Sequence, residues 1–293
     1  DAMRTHRFNA RYLPDCPLPD ALRFEADFDN AVKDASLIVI AVPSGGLRST
    51  LNALGRRTSL PPLIWVCKGF EPGSRKLPHQ LVAELLPAHT QTGVLSGPSF
   101  AQEVARGFPT ALTLASHDTK LAQHLAEVLS AHRLRIYAHD DVVGVEVGGA
   151  LKNVMAIAAG ICDGLQLGHN ARAALITRGL AEMTRAGTRL GGHFETFMGL
   201  SGLGDLILTT TGDLSRNRQV GLRLARGQQL DAILAELGHV AEGVTTAREV
   251  IALAGEMGVD MPISRAVCQM LFEGLPAAQA VDALLNREIK AEF

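Results

Sequence analysis

The 293-residue sequence lacks the cysteine and histidine patterns that mark metal sites and disulfide frameworks. Its four cysteines, Cys16, Cys67, Cys162 and Cys268, are far apart and form no Cys-x-x-Cys pair. This distribution is typical of free thiols in a reducing compartment, and we predict a cytoplasmic protein. The ten histidines include no His-Glu-x-x-His motif, so the sequence predicts no metal site.

The sequence also lacks a basic excess and a long apolar run. Lys and Arg number 28 against 30 Asp and Glu, whereas a nucleic-acid-binding protein needs a surplus of positive charge. The longest uncharged apolar stretch, from Asn153 to Cys162, is too short to cross a bilayer. The first thirty residues carry charges of both signs and no apolar core, which predicts no secretory signal. Because the sequence starts Asp1-Ala2-Met3, we expect a segment upstream of Asp1 to be absent from it.

The first half of the sequence alternates strand and helix patterns, whereas the second half has helix patterns alone. Short apolar runs separated by helical spacings are typical of a parallel sheet covered on both faces. We therefore predict an α/β domain over residues 1–141 and an all-helical domain over residues 142–293. The predicted strands are Leu37–Val42, Leu63–Cys67, Thr92–Leu95, Thr110–Ala115 and Leu134–Tyr137, and the helices between them are Arg48–Leu54, Leu77–Leu86 and Asp118–His132.

Three of the predicted strands end in residues suited to ligand binding. In open parallel sheets, ligands bind outside the carboxyl ends of the strands. Lys68 directly follows an apolar strand, where its ammonium would meet an anionic substrate; the alternative is an ordinary solvated lysine. Gly97 and Ser99 follow the next strand and offer backbone N–H and hydroxyl groups, unless they form a simple turn. Pro43-Ser44 is the third such end.

A second candidate is Lys152, within the segment Gly148-Gly-Ala-Leu-Lys152-Asn153. From Val142 to Ile161 the only charged residues are Lys152 and Glu146, and a spacing of six means that they do not face each other on a helix. Burial would lower the pKa of this lysine and suit it to proton transfer near neutral pH. The alternative is a structural lysine that is salt-bridged or whose ammonium reaches solvent. The adjacent glycines favour function, because they allow a backbone or a ligand to approach closely.

A third candidate is Gly202-Leu-Gly204-Asp205 together with the helix that follows it. Asp213 or Ser215 is suited to cap that helix. Arg216 and Arg218 would then lie in its first turn, where positive side chains oppose the helix dipole unless an anion binds there. The alternative is a pair of solvated arginines.

Several short segments occur in an order shared by one enzyme family: Arg11-Tyr-Leu-Pro14, Ala41-Val-Pro43, Cys67-Lys68-Gly69, Leu95-Ser-Gly-Pro-Ser-Phe-Ala101, Gly148-Gly-Ala-Leu-Lys-Asn153, Ala171-Arg-Ala-Ala-Leu-Ile-Thr-Arg-Gly179, Gly202-Leu-Gly-Asp205, Leu214-Ser-Arg-Asn217 and Val240-Ala-Glu-Gly243. From about Asn9 to Glu292 the sequence resembles the bacterial-type NAD(P)-dependent glycerol-3-phosphate dehydrogenases. The resemblance implies a Rossmann-like parallel sheet followed by an all-α domain. It implies an oxidoreductase that interconverts dihydroxyacetone phosphate and sn-glycerol 3-phosphate by hydride transfer with NADH or NADPH, for phospholipid synthesis. It also implies a cytoplasmic homodimer that acts on a small phosphorylated substrate.

The resemblance further implies roles for individual residues. Lys152 matches the general acid/base, which gives a proton to the carbonyl oxygen of the substrate. Substrate contacts are implied for Lys68, Gly97, Ser99, Lys152, Asp205, Ser215, Arg216 and Asn217. Cofactor contacts are implied for Lys68, Ala101, Arg216, Val240 and Glu242. Asp205 is suited to orient Lys152 or a substrate hydroxyl. Arg216 and Asn217 are suited to hold the substrate phosphate at the start of a helix. The binding energy of the phosphate would then orient the carbonyl group.

The sequence departs from the family pattern at its start. Family members begin with a strand, a Gly-x-Gly-x-x-Gly turn, a helix and a second strand, and no Gly-x-Gly-x-x-Gly occurs here. We therefore expect the pyrophosphate cradle to lie outside this sequence. Two other functions stay open: a catalytically inactive helical dimer or binding module, and a different hydroxyacid dehydrogenase of the same architecture. Positive charge at Lys68, Arg216 and Arg218 favours a phosphorylated substrate. It therefore favours the resembled family over a different hydroxyacid dehydrogenase.

Overall fold

The computed structural model describes residues 2–238 and 241–288. Its first elements are ones that the sequence did not predict. They are too short to show a hydrophobic period, which is the main signal of secondary structure in a sequence. They comprise a helix α1 (Ala2–His6), two short antiparallel strands β1 (Phe8–Asn9) and β2 (Leu13–Pro17), and a helix α2 (Phe28–Val32).

Five further strands lie side by side in chain order: β3 (Ile38–Ile40), β4 (Leu63–Trp65), β5 (Thr92–Ser96), β6 (Thr110–Ala115) and β7 (Leu134–His139). All five were predicted from their apolar runs. The pairings β3–β4, β4–β5 and β6–β7 are parallel, as predicted. The pairing of β5 with β6 is antiparallel, so the sheet is mixed rather than wholly parallel.

The antiparallel pairing follows from the short connection between β5 and β6. A parallel neighbour needs a crossover that runs the length of the sheet, and this crossover is usually a helix. The only helix in this connection is α5 (Ala101–Ala105), with five residues. Five residues of helix rise about 7.5 Å, less than half of the roughly 17 Å that a five-residue strand spans. The chain therefore enters β6 near the end of β5 and runs back beside it.

Helices cover both faces of the sheet, as predicted. Trp65 packs into an apolar cluster with α3 (Leu47–Leu54) and α4 (Pro78–Leu85), whereas its neighbour Ile64 packs into another with α6 (Thr119–Leu129). Successive side chains of a strand point to opposite faces, so β4 is buried on both sides. This arrangement explains why β4 reads as a continuous apolar run.

After Val142 the described residues form helices and no strand, as predicted. The division into two domains between residues 141 and 142 stays a prediction. One turn of π-helix, Leu200–Gly204, lies in this half. Its helices are α7 (Val142–Gly164), α8 (Gly168–Arg189), α9 (Phe194–Met198), α10 (Asp205–Thr211), α11 (Arg216–Ala225), α12 (Leu230–Leu237), α13 (Glu242–Met257), α14 (Pro262–Phe272) and α15 (Ala277–Leu285).

Helix α7 connects the two halves of the fold. Its first turn contributes Val142 and Val145 to a cluster of the sheet, and from Val147 onward its apolar side chains belong to the core of the helical half. By length and composition alone α7 could cross a membrane, but 94% of its most apolar window is buried within the protein. The apolar composition of α7 is therefore accounted for by its position in the core.

Helices α7 and α11 pack closely through glycines. A Cβ at Gly221 would lie 2.0 Å from the backbone oxygen of Ile157, and a Cβ at Gly160 would lie 2.1 Å from that of Arg218. These neighbours are backbone atoms and cannot move aside as a flexible side chain would. The contact therefore requires glycine at both positions.

We expect Gly221→Ala to lower the free energy of unfolding by about 2 kcal/mol, because the added methyl group forces α11 away from α7. Gly255→Ala in α13 is the matched control, since nothing lies within 4 Å of its Cβ position. The higher helix propensity of alanine should stabilise that variant by about 1 kcal/mol. Urea unfolding followed by circular dichroism measures both effects. A Gly221→Ala protein as stable as the wild type would contradict the backbone contact.

Candidate active site

Lys152 lies in the middle of α7 and is buried, with 8% of its surface exposed. Its Nζ donates hydrogen bonds to Asp205 Oδ1 at 2.6 Å and to Thr209 Oγ1 at 2.9 Å. The sequence predicts a charged side chain in an otherwise apolar helix. The structure adds the counter-charge, which comes from a different helix. Lys152 is therefore a paired ammonium that points into the protein and not into bulk solvent.

Asp205 is the first residue of α10 and directly follows the π-helical turn Leu200–Gly204. Only 1% of its surface is exposed. Thr209 lies one turn later on the same helix and donates its hydroxyl to Asp205 O at 2.6 Å. Single π-helical turns are rare and occur frequently at functional sites. Here the turn is followed at once by the carboxylate that Lys152 contacts.

Lys68 follows β4 and reaches the same carboxylate from the sheet. Its Nζ donates to Asp205 Oδ2 at 2.6 Å and to Gly97 O at 3.2 Å. Its side chain is 18% exposed, so it is nearer to solvent than Lys152 or Asp205. The carboxylate thus accepts one ammonium on each oxygen. With all three groups ionised the cluster has an excess positive charge, which favours an anionic ligand.

The three charges control each other's ionisation. Burial lowers the pKa of Lys152, and the Lys68 ammonium lowers it further, while Asp205 opposes both effects; the result is a pKa of about 8. Burial alone would raise the pKa of Asp205, but the two lysine ammoniums outweigh burial and hold this pKa below its ordinary value. At neutral pH Asp205 is therefore ionised and Lys152 is close to releasing its proton.

The segment after β5 contributes the next predicted residues. Gly97 has a φ of 136°, in the region that favours glycine. Its carbonyl oxygen accepts hydrogen bonds from Lys68 Nζ and, at 3.1 Å, from Ser99 Oγ. Ala101 is exposed at the first position of α5. This segment therefore lies against Lys68, with the Ser99 hydroxyl directed back at its own turn.

Asn217 holds the start of α11 beside Lys152. Asn217 Nδ2 donates to Asn153 Oδ1 at 2.9 Å, and Asn217 Oδ1 accepts from Gly243 N at 3.0 Å. Because Asn153 is the next residue after Lys152 in α7, these two bonds bring α11, α13 and α7 together at one point. Asn217 is buried there with one of its amide hydrogens engaged.

The prediction that Arg216 and Arg218 form an anion-binding pair is wrong for Arg218. Ser215 caps α11, as predicted, by accepting a hydrogen bond from Arg218 N at 3.2 Å. The Arg218 side chain turns into the protein and pairs with Asp163 at 2.7 Å and Asp213 at 2.8 Å. Two carboxylates thus balance its charge. Arg216 is exposed at the first position of the helix and stays the candidate for an anion.

Glu242, the first residue of α13, connects the helical half with the end of β3. Its Oε1 accepts a hydrogen bond from Ser44 N at 3.3 Å. Burial raises the pKa of Glu242, although the Ser44 N–H and the charge of Arg216 oppose the rise. Val240, the predicted cofactor contact close to Glu242, lies outside the described residues.

Sequence reasoning gave no role to two residues of this site. Thr209 accepts a hydrogen bond from Lys152, and its position four residues after Asp205 was a usable signal, since residues at this spacing share a helix face. Asn153 was noted only as part of a motif, although it bonds to Asn217. That contact joins two distant helices and could not be read from the sequence.

The arrangement is suited to moving a proton at a single ligand atom. Lys152 can donate or accept that proton at Nζ, and Asp205 fixes the position of its ammonium. Lys68 and Arg216 supply positive charge for an anionic group. Charged donors in a site with little water stabilise developing negative charge far better than they would in bulk solvent.

Residues 1–122 match the family NAD-dependent glycerol-3-phosphate dehydrogenase N-terminus, and residues 141–282 match the corresponding C-terminus family. The chain belongs to the NAD-dependent glycerol-3-phosphate dehydrogenase family. The predicted resemblance is thereby confirmed along most of the chain. The match also favours a dehydrogenase over the alternative of an inactive helical binding module.

Individual members of the glycerol-3-phosphate dehydrogenase family agree with this assignment. The glycerol-3-phosphate dehydrogenase (NAD(P)+) of Thiobacillus denitrificans is 78% identical over 293 residues, which is 100% of this chain and 89% of that protein. The enzyme of the same name from Nitrosospira multiformis is 59% identical over 289 residues, or 99% and 87% of the two chains. The crystal structure of glycerol-3-phosphate dehydrogenase from Coxiella burnetii superimposes with a TM-score of 0.94 at 42% identity, covering 98% of this chain and 88% of that one. This likeness confirms the predicted fold class.

Proposed function

We propose that this member of the glycerol-3-phosphate dehydrogenase family interconverts dihydroxyacetone phosphate and sn-glycerol 3-phosphate with NADH or NADPH, for phospholipid synthesis. The names of its relatives support this reaction. The observation that carries the proposal is the buried carboxylate of Asp205 shared by Lys68 and Lys152. Reduction of a ketone needs a proton donor whose pKa lies near the working pH. Lys152, with a pKa of about 8, meets that need.

Lys152 is the proposed acid for ketone reduction and the base for the reverse reaction. In reduction its ammonium donates a proton from Nζ to the carbonyl oxygen, and in oxidation the neutral amine accepts a proton from the alcohol. Asp205 raises the pKa of Lys152 against the effects of burial and Lys68, and it directs the Nζ atom. Thr209 fixes the same atom with a second hydrogen bond.

The remaining proposed contacts bind the substrate, chiefly through its phosphate group. Arg216 and Asn217 hold the phosphate at the start of α11, where backbone N–H groups and the helix dipole favour an anion. Lys68 adds a second positive charge on the side of the sheet. Binding energy from the phosphate then orients the carbonyl toward Lys152. Gly97, Ser99 and Ser215 complete the proposed substrate set.

The residues at the carboxyl end of the sheet fit a nicotinamide cofactor. Gly69 has a φ of 128°, and a Cβ there would lie 3.3 Å from Thr246 Oγ1 and 3.4 Å from Ser44 Oγ. A side chain at Gly69 would therefore intrude between β4 and the helical half, where open α/β sheets bind their ligands. When bound, the cofactor supplies the hydride. The residues proposed to contact it are Lys68, Ala101, Arg216, Val240 and Glu242.

We further propose that the protein is a cytoplasmic homodimer. The four large apolar side chains Phe194, Met198, Ile207 and Leu214 are exposed between residues 194 and 214 of the helical half. Because contiguous exposed apolar side chains mark protein contacts, we place these four in the dimer contact. All four cysteines are free thiols, as expected in a reducing compartment. Sedimentation of the protein as a monomer would contradict the dimer.

The test of the function is oxidation of NADH or NADPH by the intact gene product, with dihydroxyacetone phosphate and with unphosphorylated dihydroxyacetone as substrates. We expect turnover with the phosphorylated ketone and little with the other. Equal turnover with both would favour a different hydroxyacid dehydrogenase. No turnover with any ketone would favour the non-catalytic alternative.

We expect the two directions of the reaction to respond oppositely to pH. Because the pKa of Lys152 is about 8, the ammonium predominates below that pH and the neutral amine above it. The kcat/KM for ketone reduction should therefore fall as pH rises through about 8, while the kcat/KM for alcohol oxidation rises over the same range. Steady-state rates in both directions at constant ionic strength measure the two profiles. Profiles that change in the same direction would contradict the assignment of Lys152.

A further inference from the structure

A second buried carboxylate lies on α7, apart from the residues assigned so far. Glu146 is 4% exposed. Its Oε1 accepts hydrogen bonds from Trp65 Nε1 at 2.8 Å and from His79 N at 2.9 Å. Its Oε2 contacts the ring Nδ1 of His79. Donors from β4 and from α4 thus converge on one side chain of α7.

These bonds explain why a carboxylate is tolerated in the core. The N–H of His79 lies in the first turn of α4, where helix donors have no partner within their own helix. The Trp65 indole is fully buried and needs an acceptor for its N–H. Glu146 satisfies both donors. Burial raises the pKa of Glu146, and the hydrogen bonds from His79 and Trp65 oppose that rise.

Glu146 also belongs to a row of residues that leads to the active site. Glu146, Gly149 and Lys152 lie at three-residue intervals on α7 and form one ridge of the helix. A Cβ at Gly149 would lie 3.4 Å from both Cγ and Cδ of Lys68. The ridge therefore meets the β4 segment at three successive points. Glu146 binds Trp65, the missing side chain at Gly149 leaves room for the Lys68 stem, and Lys152 shares a carboxylate with the Lys68 ammonium.

The spacing along the two elements is nearly the same. Glu146 and Lys152 are six residues apart, which is about 9 Å along a helix axis. Trp65 and Lys68 are three residues apart, which is about 10 Å along an extended chain. The Glu146–Trp65 bond therefore lies at about the same distance from the Lys68–Lys152 pair along both elements.

We propose that Glu146 is a positioning residue for the reaction. Through Trp65 and His79 it sets the register between the end of β4 and α7, and hence the separation of the Lys68 and Lys152 ammoniums on Asp205. The inference rests on the proposed function, since the two lysines give that register its chemical consequence.

Two substitutions of Glu146 separate the positioning role from simple loss of charge. Glu146→Gln keeps an acceptor for Trp65 and His79 N, and its amide N–H can bond to His79 Nδ1 in the neutral tautomer. We expect this variant to keep kcat within about twofold of the wild type and to keep the same pH profile. Glu146→Ala removes all three bonds. We expect its kcat to fall by about 10-fold or more, in line with the effect of misplacing catalytic groups by about 1 Å, with a smaller change in KM.

The pH profile of Glu146→Ala should also move. The Lys68 ammonium lowers the pKa of Lys152, and in this variant the end of β4 should let Lys68 lie farther from Lys152 while it stays paired with Asp205. The pH at which ketone reduction declines should therefore rise above that of the wild type. Should Glu146→Ala fail to fold, Trp65→Phe removes the indole N–H, together with part of the buried ring, and should shift kcat and the pH profile in the same directions by smaller amounts.

Glu182→Ala is the matched control for the loss of a buried carboxylate. Glu182 on α8 is 1% exposed and accepts hydrogen bonds from Ile263 N, Ser264 N and Ser264 Oγ in the helical half. We expect this variant to lose stability but to keep the kcat and the pH profile of the folded protein. The kcat and pH profile of Glu146→Ala are compared with those of Glu182→Ala at equal folded fraction. If the two variants behave alike, the proposal is overturned.

Trp65 offers a readout that does not depend on turnover. It is the only tryptophan in the sequence, so the indole N–H of the chain gives a single resonance in a ¹H–¹⁵N spectrum. Addition of glycerol 3-phosphate should shift this resonance in the wild type and in Glu182→Ala, and much less in Glu146→Ala. If the wild-type protein is active but its indole resonance does not shift when glycerol 3-phosphate is added, the inference is overturned. A wild type without turnover on dihydroxyacetone phosphate would instead refute the proposed function, which keeps the two failures distinct.

Discussion

Replacing Lys152 with alanine is expected to lower kcat for dihydroxyacetone phosphate reduction by about 10²- to 10⁴-fold, the range typical of a lost general acid. KM should change little, because the proposed phosphate contacts of Arg216 and Asn217 stay in place. The variant should also fold, since Asp205 keeps the Lys68 ammonium as a partner at 2.6 Å. Steady-state kinetics at a pH near neutrality measure the effect.

Two further experiments test whether the loss of activity is specific to the amine of Lys152. Lys120→Ala, at an exposed position of α6, is the control and should leave kcat unchanged. A small primary amine added to Lys152→Ala should restore part of the rate, because it can enter the space left by the side chain and supply the missing ammonium. Wild-type turnover in the alanine variant would remove Lys152 from the mechanism.

The parts of the fold that the sequence predicted share one property: their signal is local. Strand β4 reads as an apolar run because helices cover both of its faces. Lys152 stands out because it is one of only two charged residues between Val142 and Ile161, in a long apolar helix. Ser215 was among the predicted caps because capping depends on residues only two or three positions apart.

The parts that the sequence did not predict depend on contacts between distant residues. Asp205 is 53 positions from Lys152 and 137 from Lys68, so no sequence pattern shows that all three meet. Arg218 reads like Arg216 in the sequence, yet its partner Asp163 lies 55 positions away. The antiparallel pairing of β5 with β6 likewise depends on how the chain returns after the short helix α5. Long-range partners thus decide whether a charged residue forms part of the site or of the scaffold.

Asp205→Asn is expected to have the largest combined effect on stability and activity. The side chain keeps its shape but loses the negative charge that both ammoniums contact. Removing one partner of a buried ion pair destabilises a protein by roughly 3–5 kcal/mol. We expect a loss near the lower limit, about 3 kcal/mol, because Lys152 can shed its proton. Urea unfolding measures this loss. The control is Asp213→Asn, which removes an exposed partner of Arg218 and should change stability little.

The kinetic effect of Asp205→Asn follows from the same electrostatics. Asp205 raises the pKa of Lys152 against burial and Lys68, so its removal should bring that pKa below 8. Lys152 is then largely neutral at neutral pH and cannot donate a proton, and kcat for reduction should fall by about 10²-fold or more. Because acidification restores the ammonium, the ratio of variant to wild-type kcat should increase as pH falls. A ratio that is the same at every pH would mean that Asp205 orients the lysine or the substrate without controlling the charge of Lys152.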